Sequence, residues 1–182
     1  MLRALFRRYI THFERRWRYD ASYLRELLAA SPSAFLRFGL VASLGHLRDA
    51  PPAAIAAAGL VGTLHEDCGP CTQLAVDLAS ARKVRPEILR AIVTGDEAGM
   101  GDVALLAYRF ARLSLLRSPE VDPLRDEIVA RWGQRGLVAV ALALTTARMY
   151  PTLKYALGHG HACSKVLIPG EPAPVAPRAL PA

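Results

Sequence analysis

The sequence predicts an all-α, multi-helix bundle, and three observations carry that expectation. Apolar residues recur every three or four positions, as at Leu105, Leu106, Phe110, Leu113 and Leu116. Proline stands at the start of several such runs, at Ser31-Pro32, Asp49-Ala50-Pro51, Arg85-Pro86 and Asp122-Pro123, where the first turn of a helix accepts it. Alternating strand patterns bounded by turn dipeptides are missing, and no βαβ unit is visible. A chain of 182 residues, 52% apolar and 21% charged, is long enough to bury one core and too apolar to be disordered.

Taken in order, residues 2–17 read as a basic amphipathic helix. Leu2, Leu5, Phe6, Tyr9, Phe13 and Trp17 share a broad face, and Arg3, Arg7, Arg8, Arg15, Arg16 and Arg18 accompany them. Helices are expected next at about 20–30 and 33–48. The alanine-rich run PPAAIAAAGLVGTLH predicts a helix over 52–65, followed by 69–83, 86–94 and 100–117. A last long helix, 123–149, carries Leu137, Val138, Ala141, Leu142 and Thr145 on its apolar face, with a break at Gly133–Gly136 and a short helix near 151–158 to follow. Trp132, Tyr150 and Tyr155 read as core or interface aromatics. The domain reading is an N-terminal helical extension (1–48) packed on a helical core (49–167). A tail (168–182) of five prolines and almost no charge is expected to stay mobile.

The net charge of +7 comes from 20 arginines and three lysines. Basic residues mixed with aromatics concentrate only on the N-terminal helix, so nucleic acid is not an expected partner. That helix suits packing on its own bundle or on a neighbouring subunit, with Glu14 and Asp20 pairing some arginines, or contact with an anionic membrane surface. The first twenty residues hold no leader-like apolar run, and no stretch reaches the roughly 20 apolar residues of a membrane span. The longest, LVAVALALTTA, reads as a buried core helix. The expected compartment is the cytoplasm, where a CxxC is redox-active or metal-binding rather than a structural staple.

That CxxC lies in LHEDCGPCTQLA, residues 64–75. A helix beginning near Asp67 places Cys68 and Cys71 on one face, within reach of a disulfide or of one metal ion. The positive end of the helix dipole favours thiolate over thiol. A protonated His65 would act in the same direction, and Glu66 and Asp67 would oppose it as charges while able to relay protons. Three readings stay open: a redox dithiol, part of a metal site, or two small hydrophobes. Zinc would need four ligands, and no second CxxC or HxxxH is present, although Cys163 or His161 could complete a set across the fold. CGPC is also the thioredoxin tetrapeptide, but the helical lead-in excludes that scaffold. In HGHAC, residues 159–163, the glycines are read as ending a helix, with His159 and His161 as solvated caps. His12 and His46 show no partner pattern.

A hydrophobic helix running into a CxxC that opens the next helix resembles the alkylhydroperoxidase AhpD / carboxymuconolactone decarboxylase-like family. The resemblance rests mainly on LVGTLHEDCGPCTQLAVDLA, residues 60–79, with weaker support from RMYPTLKYALGHGHAC. It covers about residues 50–165. It implies an all-α bundle, assembly into a homo-oligomer (dimer, trimer or hexamer), and reduction of a small peroxide by the dithiol, with a thiol reductant protein restoring it. No cofactor or metal is implied. The family's peroxidase pattern places a glutamate about twelve residues before the first cysteine and a histidine four after the second. Those positions here are Ala56 and Ala75, so only Cys68 and Cys71 carry over. Any proton handling then falls to His65, Glu66 or Asp67. The candidate site is therefore Cys68 and Cys71 with Glu66 and His65, and the lactone decarboxylase branch gives a dithiol no role. The rival expectation is a non-enzymatic helical module that binds a partner or membrane, its cysteines inert or metal-bound.

Overall fold

The computed structural model describes residues 2–160 and 165–175. The described residues are all-α apart from one small hairpin. The helices are α1 (Leu2–Trp17), α2 (Ser22–Ala30), α3 (Pro32–Ser43), α4 (Pro52–His65), α5 (Gly69–Ala81), α6 (Pro86–Thr94), α7 (Gly101–Leu116) and α8 (Val121–Ala156). Short 3-10 turns at Leu44–His46 and Glu97–Gly99 precede the α3–α4 connection and α7. The proline signals mark real starts: Ser31 Oγ accepts the Ala34 amide at 3.2 Å, and Pro52 and Pro86 open α4 and α6.

The core is built around α4, which packs on α5, α6, α7 and α8. Ala54, Ala57, Ala58, Leu60 and Val61 are buried on almost every side of it. Small side chains let its neighbours approach closely. At Gly62 an added Cβ would lie 2.9 Å from the Leu144 carbonyl oxygen and 3.1 Å from Ala147 Cβ, so only glycine fits where α4 crosses α8. A second, aromatic cluster (Ile10, Tyr19, Tyr23, Leu28, Phe35) holds α1–α3 together, with Phe6, Phe13 and Trp17 partly buried against it.

The face expected of α1 is only partly correct: Ile10 is its fully buried residue, whereas Leu5 and Tyr9 are about 60% exposed. Glu14 does pair with an arginine, but with Arg25 of α2, while Asp20 caps Ser22. In α8 the buried register is Leu137, Ala139, Val140, Ala143, Leu144 and Thr146, leaving Val138 and Thr145 exposed. The expected break is present: at Gly133 the backbone leaves the helical region (φ 70°, ψ 176°) for a conformation open essentially to glycine alone, so α8 is two helical segments joined at a kink. The second segment passes Pro151, losing one backbone hydrogen bond there. Contrary to the sequence reading, α8 is long and apolar enough to cross a membrane by length and composition; its apolar half packs on α4 and α7.

The mobile-tail expectation is corrected over 168–174. Strands β1 (Lys165–Ile168) and β2 (Glu171–Pro174) pair antiparallel around a turn in which Gly170 has φ 83°. Val166, Ile168 and Ala173 are buried in the main core. The Gln73 side chain clasps the backbone of Leu167 from both sides, accepting its amide at 2.7 Å and donating to its carbonyl at 3.0 Å. Arg90 holds Glu171 at 3.1 Å. Four residues per strand and two prolines hide the alternation in the sequence, yet α5 and α6 supply the partners that order it.

Candidate functional site

The α4–α5 connection builds the site. Asp67 adopts a left-handed conformation (φ 51°), which an aspartate tolerates better than most residues, and this reverses the chain between the two helices. Tyr155 of α8 donates its hydroxyl to the Asp67 carbonyl at 2.8 Å and fixes the turn. Cys68 is then the N-cap of α5, Pro70 occupies its first turn, and Cys71 is its third residue. The helix starts at Gly69, as the 69–83 reading has it, so Cys68 caps it and does not lie inside its first turn, and cap and third residue bring the sulfurs 2.6 Å apart. Both are free thiols; Cys68 is fully buried and Cys71 is 4% exposed.

Their protons are not equivalent. The hydrogen bond between the two sulfurs, the Cys71 amide and the Lys154 ammonium together favour an anion on Cys68, so Cys68 is drawn down to about 7 despite its burial. Cys71 is pushed far up, because its proton is held by Cys68 and its surroundings are dry. The pair therefore holds one thiolate and one thiol near neutrality. Asp67 opposes the Cys68 anion through its charge.

Three residues that the sequence did not single out complete the surroundings. Tyr19 places its hydroxyl 3.7 Å from Cys71 Sγ. Lys154 of α8 is 1% exposed, with its ammonium 4.7 Å from the Tyr19 ring centre and 5.4 Å from that of Tyr23. Burial raises the phenols of Tyr19 and Tyr23 well above the usual tyrosine range and lifts Tyr150 to about 12, so all three stay protonated. One signal for Lys154 was legible: it is one of only three lysines in a chain that otherwise uses arginine.

The candidate residues of the lead-in are placed differently from one another. Glu66 turns to α8, where it accepts from Arg148 Nε at 2.6 Å and from the Thr152 hydroxyl at 3.4 Å. His65 is the last residue of α4 and half-buried. His159 lies after the end of α8, bonded to Glu26 at 2.8 Å, and Gly158 (φ 79°) terminates that helix as expected. His161 and Cys163 lie outside the described residues. Among the described residues no three His, Cys, Asp or Glu side chains are grouped to hold a metal ion.

A cavity of about 390 Å³, partly open to solvent, runs between α1–α3 on one side and α4, α5 and α8 on the other. Cys71 lies in its wall, as do Tyr19, Tyr23 and Tyr150. Ala56 and Ala75, the two positions where acid–base side chains were sought, line it as well and leave it apolar. No family model, curated protein or solved structure with which the chain was compared matches it.

Proposed function

We propose that the protein is a thiol oxidoreductase that reduces a hydroperoxide through a Cys68–Cys71 dithiol/disulfide cycle. The observation that carries this reading is the contact of two free sulfurs, 2.6 Å apart at a helix start, one of which faces a cavity. The resemblance of residues 60–79 to AhpD-type peroxidases supports it. In the proposed cycle Cys71, the sulfur on the cavity side, attacks the distal peroxide oxygen while its proton passes to the Cys68 thiolate. The O–O bond breaks and leaves a sulfenic acid on Cys71 and an alkoxide, which takes up a proton to leave as alcohol. Cys68 as thiolate then attacks the Cys71 sulfur, and the hydroxyl departs as water once protonated. The sulfurs are oxidised by two electrons and the peroxide is reduced by two. The pair's proton and one from solvent end on the alcohol and the water, and an external dithiol reductant restores the pair. The Tyr19 hydroxyl beside Cys71 and the charge of Lys154 take the place of the acid–base groups that Ala56 and Ala75 lack. Assembly into a homo-oligomer belongs to the same reading.

The test is peroxide consumption with a dithiol reductant by wild type, Cys68→Ser and Cys71→Ser. Both variants should fall to background, and Cys68→Ser should trap a dimedone adduct on Cys71. Equal rates for all three proteins would end the proposal. A second activity is favoured by the exposure of Leu5 and Tyr9 beside Arg3, Arg7 and Arg8: contact of α1 with an anionic membrane surface. Flotation with anionic vesicles should be lost on removal of residues 1–18; equal flotation of both forms would exclude it.

A further inference from the structure

The cavity has a direction that follows from α5. Cys71, Leu74, Ala75, Leu78, Ala79 and Arg82 all line it, and their spacing makes one face of one helix. Eleven residues separate Cys71 from Arg82, so at 1.5 Å per residue the cavity follows the helix for about 16 Å. Cys71 stands at one end of that face and Arg82, the cap residue of α5, at the other.

The wall between those ends offers little to a polar ligand. The hydroxyls of Ser43, Thr63 and Thr146, which line it, already donate to backbone carbonyls of their own helices, at 2.6, 3.1 and 2.7 Å. Arg82 is half-buried, and its guanidinium has no ion pair among the described residues. Along α4 the wall includes Gly59, where an added Cβ would meet no atom within 4 Å; Gly39 of α3 is open in the same way. The space is therefore long, apolar along its sides and cationic at one end.

We propose that this cavity binds a long-chain carboxylic acid, its carboxylate on Arg82 and its chain running along α5 to the dithiol. On the redox reading above, on which this second part rests, the substrate is such an acid carrying a hydroperoxide well down its chain, reduced to the corresponding alcohol. An Arg–carboxylate contact fixes the head group, and the apolar wall takes the chain.

Binding of oleate and of oleyl alcohol to the full chain, measured by calorimetry, tests the site without reference to turnover. Oleate should bind at least about tenfold more tightly than the alcohol, and Arg82→Gln should remove that preference. Gly59→Leu should abolish binding of both while leaving the melting temperature unchanged or higher, since leucine favours helix over glycine. Absence of oleate binding, an equal affinity for the two probes, or undiminished binding by Gly59→Leu would overturn the site. Turnover of linoleate hydroperoxide and of hydrogen peroxide then separates the two proposals. The long-chain substrate should be preferred by at least about tenfold in kcat/KM, and Gly59→Leu should lose that preference. Equal use of both peroxides, unaltered by Gly59→Leu, would remove the acid as substrate and leave the dithiol cycle standing. Oleate binding with the expected variant effects but no turnover of either peroxide would retain the acid site and refute the dithiol reading.

Discussion

The two hydrophobic clusters are built from different materials. Around α4 the buried residues are mostly alanine, valine, leucine and isoleucine. Such side chains interdigitate at short range, and at Gly62 one helix nearly touches the backbone of another. In α1–α3 the buried residues are largely aromatic, and Leu36, Leu40, Val41 and Leu44 of α3 and its following turn remain exposed. Large flat rings on short helices cannot fill the space against a smooth alanine surface. The gap that results is the cavity, and the dithiol lies at its edge, with Tyr19 reaching over from the aromatic side. The difference teaches that the surroundings of the cysteine pair depend on the joint between two packings rather than on either one.

The largest expected effects test that division directly. Leu89→Ala in the main core and Ile10→Ala in the aromatic cluster each remove a fully buried side chain and should each cost about 2–5 kcal/mol. They should differ in where the loss appears. Leu89→Ala should lower the cooperative melting transition, whereas Ile10→Ala should chiefly accelerate alkylation of the cysteines under native conditions, by opening α1–α3. If alkylation rates in both variants simply follow global stability, the two regions unfold as one unit and the comparison fails.

A pH profile of stability comes next. Cys68 has its proton affinity lowered by folding, to about 7 against an ordinary value near 8.5, so the native state binds fewer protons between those values. Stability should therefore rise by up to about 2 kcal/mol as pH increases from 6 to 8.5, and be lost again as pH falls through 7. Cys71, Tyr19 and Tyr23 are shifted the other way, so the unfolded chain releases their protons first and stability should decline as pH rises above about 8.5. Chemical denaturation across this range checks both limbs. The rising limb should vanish in Cys68→Ser, and its persistence there would assign it to another group.

How far the sequence announced these features depends on the scale at which each is encoded. Helix starts at Pro32, Pro52 and Pro86 are local, set by one ring and one capping position, and they were legible. The pairing of Cys68 with Cys71 was legible for the same reason. Lys154 and Tyr19 were not, since they lie 86 and 49 residues from Cys68 and come to the cysteine pair only through the tertiary fold. The hairpin at 165–174 was hidden because its order comes from Gln73 and Arg90, far upstream, and not from its own residues. The break expected at Gly133 was legible too, because only glycine takes the non-helical conformation at which the two segments of α8 meet.

The role of the joint can be sharpened at Lys154. Its ammonium is held among Tyr19 and Tyr23 and favours the thiolate on Cys68, though less than the Cys71 thiol does. Lys154→Met keeps the bulk and removes the charge, and should raise the Cys68 alkylation midpoint by on the order of one pH unit, equivalent to about 1.4 kcal/mol. Cys71→Ala should raise it further. An unchanged midpoint in Lys154→Met would show that the anion owes nothing to α8.

The smallest effect is expected at Glu66, and it separates structure from chemistry in the stretch that leads into the cysteines. Its carboxylate is engaged by Arg148, half-exposed on α8, so the pair ties the end of α4 to that helix. Such partly exposed pairs contribute about 0.2–1 kcal/mol, and Glu66→Gln should lower stability within that range. Peroxide turnover and the Cys68 midpoint should stay at wild-type values, because the carboxylate is directed at a guanidinium instead of a sulfur. A fall in turnover with stability unchanged would return Glu66 to the proton relay that its position directly before Asp67 and Cys68 suggests. Tyr19, contacting Cys71 from the opposite helical layer, would then lose its place as the nearer polar group.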